Sequence, residues 1–344
     1  MLATRRVHMD CRKNISISSY YSRGLSLVEL MISILLGLIL STGIVTVYIE
    51  SKNNYQAEDE IARIQENGRY TLNLLKRELT LAGFFGGNLN TDEITASAVT
   101  TDCASGNWVL DTSDPIDLID SYASSFATVN GATLDCMTAS EIQAGTDILA
   151  VKRTAGDFTL KNGAWNDGLT QAETTQWYLK VKGFGDELSW VYIGGSGNFD
   201  AADIGTDTEV DYWEYHSNIF YVQNFSKTVG DNIPSLCTEK LSGNAVTKQC
   251  LVEGVEDMQI EFGIDTDADG VANQFKSSPT GSEIGTAVAA RIYILVRSID
   301  PVAGYTNTKS YSLGEKSIAA KNDGYLRRVF STTVQMRNAT LPAA

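Results

Sequence analysis

Residues 25–49 read LSLVELMISILLGLILSTGIVTVYI, an apolar run whose only charge is Glu29. At 1.5 Å per residue such a run is long enough to cross a bilayer as a helix. The segment before it, 1–24, holds Arg5, Arg6, Arg12, Lys13 and Arg23 against Asp10, a net of +4. A basic flank of this kind stays on the cytoplasmic side. A secretory signal has a shorter apolar core and then a small-residue cleavage site. Here the run passes straight into Glu50 and Ser51, so the hydrophobic helix is expected to be retained. Glu29 is the anomaly. A carboxylate in a membrane helix costs roughly 2.5–3.5 kcal/mol at the centre and less near the interface, so it needs a partner or a purpose.

Working outward, apolar or small residues continue at Ile61, Ile64, Gly68, Leu72, Leu75, Leu79 and Ala82, spaced 3, 4, 4, 3, 4 and 3. The charged residues Glu60, Arg63, Glu66, Arg69, Lys76, Arg77 and Glu78 are expected on the remaining faces. This is amphipathic helical periodicity, and Gly83 with Gly86-Gly87 supplies its stop. The spacing predicts one helix of roughly 55 residues, about 80 Å long, bare in its first half and striped in its second. Beyond Gly87 the period changes to two. Candidate strands are 147–152, 176–182, 188–193, 219–223, 258–264, 289–297 and 329–336, with turn-rich links such as 194–198. Alternation of this kind predicts half-buried, mostly antiparallel strands. The fold class is α+β: a long N-terminal helix packed on a β-rich head. The expected boundaries are a leader at 1–24, a hydrophobic helix at 25–49, its amphipathic continuation at 50–83 and a head at 84–344.

The composition is that of a folded chain, with 43% hydrophobic and 20% charged residues. Net charge is −15; with +4 in the leader, the remainder carries −19. A surface so acidic repels nucleic acid, which recruits clustered Lys and Arg, so no nucleic-acid partner is expected. Cys11 lies in the leader, and removing it leaves Cys103, Cys136, Cys237 and Cys250. Behind a membrane-targeting segment, an even set reads as two disulfides. Of three possible pairings the local ones, Cys103–Cys136 and Cys237–Cys250, are favoured; free buried thiols are the alternative. A zinc site would need a CxxC pair, and His216 is the sole histidine beyond the leader.

Arg23-Gly24 followed by Leu25-Ser26-Leu27-Val28-Glu29-Leu30 resembles the prepilin signal of type IV pilins. In that family a membrane peptidase cuts after the glycine and methylates the new N-terminus. The resemblance implies cleavage between Gly24 and Leu25, N-methylation of Leu25 and an assembly role for Glu29. Physically, cleavage creates a cationic amine, and a neighbouring subunit's carboxylate at that depth can bury with it as a pair. The leader is long for the family, so Met9 is an alternative start, and the helix lacks the proline often found in major pilins. The segments 66–84, 252–258, 265–270 and 327–333 resemble the PilW family of minor pilins. That resemblance implies a minor pilin that primes type IV pilus assembly at or near the tip, supporting adhesion and twitching motility. Implied partners are other minor pilins, the major pilin and a PilY-type tip adhesin, with prepilin peptidase as processing enzyme. The implied location is the inner membrane with a periplasmic head, then the pilus surface. A type II secretion pseudopilin shares the N-terminal logic. A signal-anchored periplasmic enzyme is the reading from another class, and it requires an uncut N-terminus.

Asp265-Thr266-Asp267-Ala268-Asp269-Gly270, with Asn273 nearby, has the alternating carboxylates and turn glycine of a calcium loop. The twelfth position is Lys276 rather than a bidentate acid, so an exposed acidic β-turn is the stronger reading; no other cofactor is expected. His216, beside Trp213 and Tyr215, is expected to be packed rather than catalytic, and no nucleophile motif accompanies it. Trp108, Trp165, Trp177, Trp190 and Trp213 are expected in the core or in strand pairs, against a carbohydrate-stacking surface.

Overall fold

The computed structural model describes residues 24–88, 91, 94, 99–195, 197–205 and 209–338. The leader residues 1–23, including Met9 and Cys11, and Ser196 of the expected 194–198 turn lie outside the described residues. The chain divides into two compact units, Met1–Asn54 and Tyr55–Ala344.

Helix α1 (Leu27–Leu81) runs 55 residues without a break. It contains no proline, and it stops where Gly83 turns left-handed at φ 73°. In the second unit its buried positions are Glu60, Ile64, Gly68, Thr71, Leu75, Glu78 and Leu79. This corrects the expected stripe. Ile61 is 43% exposed, whereas Glu60 and Glu78, expected on the solvated faces, are only 7% and 4% exposed. The reason is polar partners on the head. A Glu60 carboxylate oxygen accepts from the Ile299 backbone N–H at 3.0 Å, and Glu78 meets Arg153.

The strands are β1 (Ile116–Ile119), β2 (Ile148–Thr154), β3 (Leu160–Lys161), β4 (Ala164–Trp165), β5 (Gln176–Lys182), β6 (Glu187–Ile193), β7 (Val210–Gln223), β8 (Ser235–Ser242), β9 (Ala245–Glu253), β10 (Val255–Ile264), β11 (Gln274–Lys276), β12 (Ala287–Arg297), β13 (Tyr311–Leu313), β14 (Lys316–Ile318) and β15 (Arg327–Gln335). A single turn of helix, α2 (Gly281–Ile284), carries a Thr280–Glu283 capping box. Strands β1–β9 form one sheet centred on β7. The C-terminal half of β7 lies between β2 and β8, and its N-terminal half takes β3 and β5. The second sheet runs β11-β10-β12-β15, and β13-β14 is a separate hairpin. Every ladder among the named strands is antiparallel.

Two of the three buried clusters explain the burial of the central strands. Leu118, Leu149, Val151, Phe220 and Leu236 join Leu75 and Leu79 of α1 and the inward residues of β10 and β12. The alternate residues of the same strands, Ile119, Ile148, Ala150, Ile219 and Tyr221, join a second cluster with Trp108, Trp177, Trp190 and Trp213. The central strands are therefore buried on both faces. Four of the five tryptophans are core residues, and Trp165 stacks on Phe199 at 5.3 Å between centroids.

Gly254 alone separates β9 from β10 and so carries the chain from one sheet to the other. Its φ is +83°, and a Cβ there would sit 2.7 Å from the Arg297 carbonyl oxygen. Its N–H donates to Pro234 O at 2.7 Å, and its carbonyl accepts from Arg297 N at 2.8 Å. Gly254→Ala combines left-handed strain with a backbone collision, and we expect a loss of about 2–3 kcal/mol. Urea unfolding checks this, and a loss below about 0.5 kcal/mol, the usual scatter for surface substitutions, counts against the corner.

Candidate functional site

The N-terminal unit presents a bare apolar helix. Ser26 Oγ accepts from the Glu29 N–H at 3.1 Å, and Ser26 O accepts from Leu30 N at 3.1 Å, so Ser26 caps the first turn. Sequence reading had not singled out Ser26, although Ser-x-x-Glu before an apolar run is a helix-start signal. Gly24, Leu25 and Glu29 are thus gathered at one helix start, with Leu25 69% exposed. The apolar window has a mean hydropathy of 2.4 and no buried residue. Its hydroxyls are satisfied internally: Ser33 Oγ donates to Glu29 O at 2.7 Å, Thr42 Oγ1 to Leu38 O at 2.8 Å, and Thr46 Oγ1 to Thr42 O at 3.0 Å. Such back-bonding lets polar side chains sit on a helix whose surroundings offer no water.

In the second unit, three of the four segments that carried the family resemblance, 66–84, 252–258 and 327–333, converge. The Cβ position of Gly68 falls against the Phe330 ring, so only a residue without a side chain lets β15 approach the helix this closely. Asn67 Nδ2 donates to Glu253 O at 2.9 Å. The Arg327 side chain is 1% exposed and forks onto two carboxylates, Glu256 at 2.6 and 3.0 Å and Asp323 at 2.6 and 2.7 Å. Burial alone would push this guanidinium's pKa down; the bonds to Asp323 and Glu256 more than reverse that, and Asp323 is held below the usual carboxylate range, Arg327 first among the causes.

A second clamp lies at the other end of the helix. Arg153 Nε and Nη2 donate to Glu78 at 2.8 and 2.7 Å, and Asn218 Nδ2 adds a 3.3 Å bond. Thr154 N and Oγ1 donate to Phe84 O at 2.7 and 2.8 Å, which ties the helix exit to β2. Pattern reading cannot find such pairs, because periodicity reports apolar burial only.

His216 lies half-buried beside this clamp, with Nε2 3.7 Å from a Glu214 oxygen. Burial first and the Arg153 charge next push its pKa from 6.5 down to about 4, while Glu78 pulls the other way. The unfolded chain therefore takes up a proton between about pH 6.5 and 4 that the folded chain refuses. Stability is expected to fall as pH drops through that window, by of order 1–2 kcal/mol. Thermal melts of His216→Gln against the parent at pH 7 and 4.5 check this; an equal acid loss in both excludes His216 as its source.

Cys103 is bonded to Cys136, with Cα atoms 4.6 Å apart. Cys237 is bonded to Cys250 across β8 and β9, with Cα atoms 3.9 Å apart. Carboxylate oxygens of Asp265, Asp267 and Asp269 come within 4.8 Å of one another at the β10–β11 turn. Asp265 Oδ1 accepts from the N–H groups of Asp267 (3.2 Å) and Ala268 (2.7 Å), and Oδ2 from Gly270 (2.7 Å). Asn273 Oδ1 accepts from Thr266 N at 2.7 Å and Thr266 Oγ1 at 3.0 Å, and Lys276 pairs with Glu283. The loop's own donors fill much of what a cation would use. We expect calorimetric titration with millimolar calcium to give only dilution heat, and saturable heat would make the turn a calcium loop.

The model of the Prokaryotic N-terminal methylation motif matches residues 20–45. That of the family described as Type IV Pilus-assembly protein W matches residues 219–338. Over residues 219–338 the chain is thus similar to the PilW family, and over 20–45 to the methylation motif of prokaryotic N-termini. The PilW match starts inside β7 and covers β8–β15, so it contains the whole second sheet, Gly254 and Arg327. Residues 46–218 lie outside both matches. No curated protein matches the sequence. A type IV-like pilin from Thermus thermophilus is similar in structure, at 15% identity and a TM-score of 0.34 over 81% of this chain and 98% of that one. The methylation motif implies processing by prepilin peptidase and a pilus-assembly context with other pilins; with the apolar helix it fits a membrane-anchored pilin.

Proposed function

We propose that this PilW-domain chain is a minor pilin that primes type IV pilus assembly and enters the fibre at or near its tip, alongside other minor pilins and the major pilin. One observation carries the reading: a helix start with Glu29 alone among exposed aliphatic side chains, directly after Arg23-Gly24. Among the described residues nothing in its own unit covers the helix over 25–49, so it requires lipid before assembly and other helices after it. Cleavage after Gly24 supplies the amine on Leu25 that Glu29 of a neighbour neutralises, and methylation of Leu25 leaves that charge in place. The head stays periplasmic before assembly and reaches the cell surface afterwards, where a PilY-type adhesin is the expected tip partner. Adhesion and twitching follow from the fibre rather than from chemistry in the head.

Sequencing the mature N-terminus tests this most directly. A methylated start at Leu25 is expected, and an intact leader removes the pilin mechanism. Deleting the gene and scoring surface pili against protein secretion then separates this role from that of a secretion pseudopilin. Loss of pili with secretion intact is the expected outcome.

A further inference from the structure

Between β12 and β15 the chain makes an excursion, 308–321, closed at its neck by two backbone bonds. Asn322 N donates to Asn307 O at 2.9 Å, and Asn307 N donates to Asp323 O at 2.7 Å. The excursion carries the hairpin β13–β14, which pairs with no other strand. Its two-residue turn is Gly314-Glu315, with Gly314 left-handed at φ 60°. Among the described residues no backbone–backbone bond joins 308–321 to either sheet. Away from the neck, the polar contacts come from two adjacent residues at the tip. Glu315 N donates to Glu261 Oε1 at 3.1 Å, and Glu315 Oε2 accepts from Ser277 Oγ at 2.8 Å. Lys316 Nζ lies 2.6 Å from Asp257 Oδ2 and also donates to Gly145 O. Leu313 is the one buried residue in the stretch.

The surface beneath the tip is polar. On β10, Met258, Ile260 and Phe262 face the core, so the alternate residues Asp257, Gln259 and Glu261 face the hairpin. These three have partners of their own. Gln259 Nε2 donates to Asp257 Oδ1 at 2.8 Å and to Gly145 O at 2.9 Å, and Tyr293 Oη donates to Glu261 Oε2 at 3.2 Å. Cavities of about 260 and 290 Å³ flank Lys316, which lines both; Asp120 and Leu313 help line the first, Gln143 and Leu295 the second. The hairpin is therefore undercut on two sides and rests on Leu313, Glu315 and Lys316. Lifting it breaks no sheet ladder, and a segment with so little apolar burial opens at a lower free energy than the sheets it covers.

We propose that 308–321 is a strap that opens and closes as a unit over β10 while both sheets stay folded, with Lys316 as its latch. The neck is where opening ends: Asn307 is buried and its Nδ2 donates to Tyr325 O at 3.1 Å, while Asp323 is fixed by Arg327. Closed, the Lys316 ammonium lies against Asp257. Open, that carboxylate meets water without its cation, so the strap switches the charge that this face shows. All the parts lie in the second unit, so failure of this inference leaves the assembly reading untouched.

The test is amide hydrogen exchange on the full-length chain in detergent micelles. Glu315 reports the contact with Glu261. Ile318 reports the hairpin, since beyond the closing pair Leu313↔Lys316 the next bonded pair of an antiparallel ladder is Tyr311↔Ile318. Ile292, in β12 between β10 and β15, reports the second sheet. Glu315 and Ile318 are expected to share one degree of protection, about a hundredfold or more below that of Ile292. Lys316→Met should speed both by about tenfold and leave Ile292 unchanged, whereas Lys316→Arg, which keeps the ion pair, should stay near the parent. Equal protection at all three amides means that the strap opens only when the sheet unfolds, and overturns the proposal. Fast exchange at Glu315 with Ile318 as slow as Ile292 reduces the motion to a frayed tip, which is also fatal. Lys316→Met that moves none of the three, or all three alike, removes the latch.

Discussion

Glu29→Ala should leave synthesis, membrane insertion and cleavage after Gly24 intact but reduce incorporation into pili by roughly a hundredfold. The side chain lies on an exposed helix face within the N-terminal unit, so the fold of that unit loses nothing by its removal. The cost appears on assembly, when the mature amine of Leu25 enters an apolar bundle without a counter-charge. An unpaired charge in that setting costs roughly 2.5–3.5 kcal/mol, and each 1.4 kcal/mol is about tenfold in an equilibrium. Glu29→Gln should behave nearly as badly, because an amide accepts a hydrogen bond but does not neutralise. The measurement is the ratio of this protein in sheared pili to that in the membrane fraction. A wild-type ratio for both variants would exclude the paired-charge mechanism.

Arg327→Ala should destabilise the head by roughly 3–5 kcal/mol, the usual cost of removing one partner from a buried ion pair. Glu256 and Asp323 would be left facing each other without their shared cation, and the fork joining β15 to the start of β10 would be lost. Since Asp323 is held below its ordinary pKa chiefly by Arg327, its contribution is present at neutral pH and fades as pH falls through the acid range, on the sign rule for a depressed carboxylate. Arg327→Lys keeps the charge but cannot fork bidentately onto both acids, so an intermediate loss is expected. Urea unfolding of the three proteins gives the ranking. A loss below about 1 kcal/mol for Arg327→Ala would class the cluster with ordinary surface pairs.

The strands that alternation missed show where pattern reading stops. Strand β1 is only four residues, Ile-Asp-Leu-Ile, all buried, so it shows no alternation over a usable length. Strand β8 buries Thr238 and Glu239, the latter accepting from Tyr221 Oη at 3.0 Å, and so reads as polar. Strand β9 is exposed from Thr247 to Cys250 because it is an edge. For β7 the reading began at 219, but the strand starts at Val210, where half-buried Asp211, Glu214 and His216 interrupt the buried Tyr212, Trp213 and Tyr215. In each case a second layer, or its absence, decides the polarity pattern.

The sequence by itself determined the helix, its apolar first half, the helix start around Gly24 and Glu29 and the α+β class, because these rest on local periodicity and on charge in an apolar run. The tertiary structure alone decided that Glu60 and Glu78 turn inward, that Gly254 is a corner between sheets and that Arg327 serves two acids. Those outcomes depend on which polar groups meet across hundreds of residues, and no local period encodes a partner's position.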